Sequence, residues 1–212
     1  RDATQTPEFK KWFGKSKVVD KQKKPLVVYH GTGADIEAFD PDRTGKGNDQ
    51  LGSGFYFTSD EDTAKGYAGE KGNLTPSYLS IQKPIVLGAE QDSLSGVRLT
   101  AKQAEAIMLL APDIFDAEES PLVDWVDNGG KKFTKAHVAR VSTNYVDKLE
   151  SLGNDFFRDN ATAFREAVNK VTGYDGVSKV FPSGERHFVA WFPEQIKSVN
   201  NRGTFDANDP RI

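Results

Sequence analysis

Gly54-Phe55-Tyr56-Phe57-Thr58-Ser59 is the stretch on which the reading of this chain turns. Aromatic residues alternating behind a glycine read as a strand, and Ser59-Asp60-Glu61-Asp62 then opens a helix with a cap and an acidic first turn. That helix carries Ala64, Tyr67 and Ala68. Tyr56 lies on the strand and Tyr67 a turn or two into the helix, so their rings can converge on one pocket as a stacking pair. A flat, electron-poor ring suits such a slot.

Upstream, Pro25-Leu26-Val27-Val28-Tyr29-His30 reads as a buried strand broken by Gly31 and Gly33. Taken alone, His30 fits a core histidine bonded to backbone. Beside two glycines it gains a second reading: Gly31 lets a ligand approach the main chain closely, and the imidazole can bond a hydroxyl. A polar, Gly-rich loop over 41–53 suggests a mobile cover beside this site.

Thr6-Pro7 to Gly14 is expected to form a short helix with a Thr cap, Pro in its first turn and a Gly stop, its Phe9, Trp12 and Phe13 serving the core. Tyr78 to Val86 is expected as one strand, Thr100 caps a helix, and helical patterns recur at Val138 to Leu149 and Asn160 to Val171. Strands follow at Gly173 to Val177, His187 to Phe192 and Gln195 to Val199, and a polar loop from Asp206 to Ile212. The expectation is one domain over residues 1–212, with a mostly helical insertion at about 89–170.

A net charge of -3 gives the whole chain no basic signature for nucleic acid, although residues 1–25 hold eight Lys/Arg, a local basic face or a solvated terminus. The absence of cysteine excludes disulfides, thiolate metal sites and cysteine nucleophiles. Three scattered histidines have no metal spacing, and His137 reads as a surface helix residue. No apolar run reaches 18 residues, so no membrane role is expected. A start on Arg suggests a domain excised from a longer polypeptide.

His30-Gly31-Thr32, the Gly54 to Ser59 strand and Tyr67 resemble the first two motifs of the H-Y-E class of ADP-ribosyltransferases, the diphtheria-toxin and poly(ADP-ribose)-polymerase type. Pro7 to Thr32, Tyr174-Asp175-Gly176-Val177, Phe192 to Ser198 and Asn201 to Asp206 further resemble the ADP-ribosyltransferase domains of phage polyvalent proteins and polymorphic toxins. The resemblance implies an α+β fold in which two mainly antiparallel sheets form an NAD cleft. It also implies roles: His30 on a ribose hydroxyl, the Gly31 backbone at the nicotinamide amide, Thr32 among the NAD-binding residues, and Tyr56 and Tyr67 flanking the ring. NAD would be the co-substrate, with no metal.

Two departures stand out. Relatives place Glu directly before an aromatic-apolar strand, where this chain has His187 ahead of Phe188-Val189-Ala190-Trp191. His187 can act there itself; Glu185, two residues earlier and on the same face by alternation, can fill the role through a bulge; or the site leans on the substrate's own group or is inactive. Ala64 replaces a Ser that bonds the amide in polymerase-like relatives, and Thr63 next to it offers a hydroxyl instead.

The function implied is mono-ADP-ribosyl transfer to a macromolecular acceptor, RNA or protein, by a monomeric toxin or phage effector acting in the cytoplasm of a target or host cell, delivered within a larger secreted or phage-injected polypeptide and met there by an immunity protein. An NAD glycohydrolase, or an inactive NAD-fold module binding a partner or nucleic acid, is the alternative.

Overall fold

The computed structural model describes residues 2–34, 36–44, 50–70, 72–111, 161–201 and 205–212. Most of the expected insertion, with His137 and the Val138 to Leu149 pattern, lies outside them, as do residues 202–204 of the C-terminal motif. The described elements are α1 (Pro7–Phe13), β1 (Val28–Thr32), β2 (Phe55–Thr58), α2 (Glu61–Ala68), β3 (Asn73–Leu79), β4 (Pro84–Leu87), α3 (Ala101–Leu110), α4 (Ala161–Thr172), β5 (Gly176–Val180), β6 (Arg186–Ala190) and β7 (Ile196–Ser198).

Two compact units divide the chain: Arg1–Asp49 with Ser53–Asp92 and Tyr174–Ile212, and Gln50–Gly52 with Ser93–Gly173. In the second, α3 starts from a capping box in which Thr100 and Gln103 each satisfy the other's backbone N–H. It packs against α4, with Ala104, Ile107 and Met108 of α3 and Phe164, Ala167 and Val168 of α4 buried.

The first unit holds all seven strands in one sheet, ordered β4-β5-β6-β2-β1-β3-β7. Two mainly antiparallel sheets were expected, and the difference has a definite cause. β4-β5-β6-β2 and β1-β3-β7 are each extensively paired, but they are joined through a single register pair, Tyr29 with Thr58. Beyond that pair β1 and β2 separate. The sheet is also mixed, because β4 and β5 are parallel, as the long excursion between them permits.

Further boundaries differ from the sequence reading. β1 runs through Gly31 to Thr32 because both pair with β3, so the glycine does not end the strand. The expected Tyr78 to Val86 strand is two strands: between them the Gln82 and Lys83 backbone N–H groups turn aside to donate to the Asp175 carboxylate, at 2.7 and 2.8 Å. β6 stops at Ala190, since the N–H groups of Trp191 and Phe192 donate to the Gln195 side-chain oxygen at 2.9 and 2.8 Å.

Val28, Phe39, Phe55, Phe57, Phe188 and Ile196 anchor the main core. α1 forms as its sequence dictates, with Thr6 accepting from the Phe9 N–H, Pro7 at its start and Gly14 at its end, and its Phe9, Trp12 and Phe13 pack with Phe205. Burying such aromatic side chains stabilises by about 2 kcal/mol each.

α2 packs against β1 so closely that a Cβ on Gly31 would lie 1.9 Å from the Ala64 carbonyl oxygen. What approaches this glycine is a helix backbone, which cannot give way as a side-chain tip can. Gly31→Ala is therefore expected to destabilise the fold by about 3 kcal/mol, at the upper end of overpacking costs. An unchanged urea midpoint would show that α2 is not held against β1.

Candidate active site

The separation of β1 from β2 opens a cleft of about 360 Å³ whose lining includes His30, Thr32, Phe39, Arg43, Gly54 and Tyr56. Its size falls within the range of small-ligand pockets. His30 spans the gap: its Nδ1 lies 2.7 Å from the Tyr56 carbonyl oxygen. A carbonyl only accepts, so Nδ1 carries the hydrogen. Burial pushes the imidazole below its ordinary value of 6.5, against the opposing effect of that bond, so the ring is neutral near pH 7. Its Nε2 is then an acceptor, suited to a ligand hydroxyl. Phe39 and Phe57 hold the ring in place, with centroids 5.1 and 5.4 Å away.

Gly54 closes the approach of β2 to β6: a Cβ there would lie 2.4 Å from Val189 Cγ1 and 2.7 Å from the Ala190 carbonyl oxygen. Along β2, Phe55 and Phe57 enter the core, which by alternation places Tyr56 and Thr58 on the opposite face. Opposite Thr58 on β6 stands His187.

A second cluster forms on that face. The Glu185 carboxylate Oε1 lies 2.7 Å from the Thr58 hydroxyl and 2.7 Å from His187 Nε2. Thr58 is buried and its hydroxyl already accepts from the Asp60 N–H at 2.9 Å, so its one hydrogen goes to Glu185. Burial works against ionisation of Glu185, but the bonds from Thr58, His187 and Thr63 outweigh it and hold the carboxyl below its ordinary 4.5. The Phe181 ring packs on the imidazole at 4.5 Å.

The structure thus brings His30, Thr32 and Tyr56 to the cleft and joins Glu185 with His187 and Thr58, but Glu185, His187, Thr63 and Tyr67 are not in the cleft lining. Tyr67 projects from α2 with 73% exposure and does not stack on Tyr56. A slot that is to hold a third ring between two others requires them apart. Gly31 faces Ala64, so its lack of a side chain serves the helix contact. Ala64 itself is buried, with 1% exposure.

Thr58, Phe39 and Arg43 were not singled out from the sequence. Thr58 carries the only sequence clue among them, standing in the same face of the strand as Tyr56. Lys179, opposite His187 on β5, is a buried cation, but its Nζ is spent on the Gln91 carbonyl oxygen at 2.5 Å and on Asp92 at 3.3 Å. None of the N-terminal lysines lines the cleft. Among the described residues no group of His, Asp or Glu has a metal-holding arrangement, and no helix is long and apolar enough to cross a membrane.

A family model described as "ADP-Ribosyltransferase in polyvalent proteins" matches residues 20–205 of the chain. Among curated proteins none matches. A solved structure described as "Crystal structure of an anti-CRISPR protein" is 16% identical over 78% of this chain and 88% of that one, with a TM-score of 0.31, too low to carry an argument.

Buried neutral His30 has a consequence for stability. Its folded-state value is depressed below 6.5, so the unfolded chain binds the extra proton first. Its contribution is complete above about pH 6.5 and is lost as pH falls toward the folded value. Between pH 7 and 5 Tm is expected to fall more steeply in the wild type than in His30→Gln, in which Glu185 is unchanged. Equal slopes would mean that the imidazole is not held neutral.

Proposed function

The chain belongs to the ADP-ribosyltransferases of polyvalent proteins, and from that membership we propose that it cleaves NAD between nicotinamide and ribose and transfers ADP-ribose to a macromolecular acceptor. The observation that carries this reading is the cleft between β1 and β2, spanned by His30 with its Nε2 left as an acceptor. An acceptor nitrogen on a neutral, immobilised ring fits a ribose hydroxyl. It would orient the sugar without adding positive charge beside a carbon that itself becomes cationic as the glycosidic bond lengthens.

Tyr56 and Tyr67 supply the aromatic surfaces for nicotinamide, Tyr67 from a helix face where its ring is free to meet a ligand. His187 stands at the third position, beside Glu185. Catalysis of this kind consists of positioning and of stabilising developing charge, for which no metal is called upon.

RNA and protein both remain acceptors for this reading, and an effector role in a host or target cell, an immunity partner and a monomeric state accompany it as proposals. The test is transfer from labelled NAD into cell lysate, followed by nuclease or protease: the treatment that removes the label identifies the acceptor class. Nicotinamide release without transfer would identify a glycohydrolase, and no release at all would leave a binding module. Tyr56→Ala is expected to lower NAD turnover at least about 100-fold, the scale of lost positioning. Wild-type turnover by that variant would remove Tyr56 from the site.

A further inference from the structure

We propose that Glu185 and His187 form one base unit, in which Glu185 positions the ring and His187 Nδ1 takes the proton of an un-ionised hydroxyl, so that the acceptor class is an alcohol. This rests on the transferase reading above. It replaces a choice between the two residues with a division of labour.

Direction follows from the hydrogen bonds. An ionised carboxylate only accepts, so the 2.7 Å contact to Glu185 Oε1 fixes the hydrogen of His187 on Nε2. In the neutral ring the lone pair is then on Nδ1, which takes a hydrogen bond from no described residue. The Thr58 hydroxyl holds the carboxylate from β2, in position on the imidazole. Phe181 restricts the imidazole from the side of β5. A carboxylate that fixes the tautomer of a histidine is the arrangement by which hydroxyl nucleophiles are activated elsewhere in enzyme chemistry.

His187 and Tyr56 project from the same face of adjoining strands, two residues out of register, so the base adjoins the surface assigned to nicotinamide. In the reaction the hydroxyl proton passes to His187 Nδ1 and the oxygen bonds to the ribose C1′. The C1′–N bond breaks with its electron pair returning to nicotinamide, which leaves neutral. Carboxylate and phosphate acceptors are already ionised near pH 7 and have no proton for this base to take.

The label transferred from NAD by the full chain is expected to resist neutral hydroxylamine, as an acetal does, and to survive phosphatase treatment of the lysate beforehand. Hydroxylamine-labile label, which marks an ester or a guanidinium N-glycoside, or label abolished by phosphatase would overturn the alcohol assignment while leaving the transferase reading intact. Glu185→Gln is expected to lower kcat about 100-fold with the KM for NAD within about threefold of wild type, and His187→Ala to lower kcat at least as much. A KM effect alone would make Glu185 a binding residue and sink the division of labour. Imidazole ¹⁵N spectra near neutral pH give a readout independent of turnover: one Nε2–H tautomer in the wild type, mixed tautomers in Glu185→Gln. An Nδ1–H tautomer in the wild type overturns the base unit. NAD left intact by the wild type would overturn the transferase reading and the acceptor assignment together.

Discussion

The hydrogen bond between His30 Nδ1 and the Tyr56 carbonyl oxygen joins β1 to β2 where the pairing between the two strands has ended. Adjacent strands ordinarily satisfy their backbone groups on each other, yet β1 and β2 do so at only one register pair before parting. β1 turns its remaining pairing capacity to β3, and β2 turns its own to β6. At Tyr56 a side chain takes the place of the missing neighbour strand and satisfies its carbonyl. The bond therefore does two things: it ties β1 to β2 across the opening, and it fixes the tautomer of the histidine that lines it.

Much of what made the sequence resemble its family turns out to hold the sheet together. Gln195 makes four hydrogen bonds, accepting from the Trp191 and Phe192 N–H groups and donating to the Ser80 and Asp175 carbonyl oxygens. Asp175 receives the Gln82 and Lys83 N–H groups, and Gly176 passes so close to β6 that a Cβ would lie 2.6 Å from the Val189 carbonyl oxygen. Lys197 is fully buried and donates to the Asp209 and Arg211 carbonyl oxygens, tying down the C-terminal segment, while Arg211 bridges Ala38 beside the cleft. A buried polar side chain is tolerated only when its groups are satisfied, which ties each of these residues to one backbone arrangement.

That division explains what could be read in advance. The capped helices α1, α2 and α3 were legible because a cap, an acidic first turn or a proline acts within a few residues. The alternation that put Glu185 and His187 on one face was legible for the same reason, and the two residues hydrogen bond. Long-range acceptors were not legible: nothing local to Ser80 through Lys83 announces that a carboxylate from Asp175 will break the strand there. The joining of the two strand sets at Tyr29 and Thr58, and the parallel β4–β5 pair, likewise depend on partners far away in the chain.

Gly31 shows how a residue without a side chain can shape chemistry at a distance. Because it has no Cβ, the Ala64 backbone can rest on β1, and Ala64 is buried there. Its helix neighbour Thr63 contributes to holding the Glu185 carboxyl below its ordinary value. Thr58 holds the same carboxylate from β2, and Glu185 in turn holds His187. The missing Cβ on β1 thus sets how near α2 comes to the strand, and Glu185, held from β2, sets the orientation of His187.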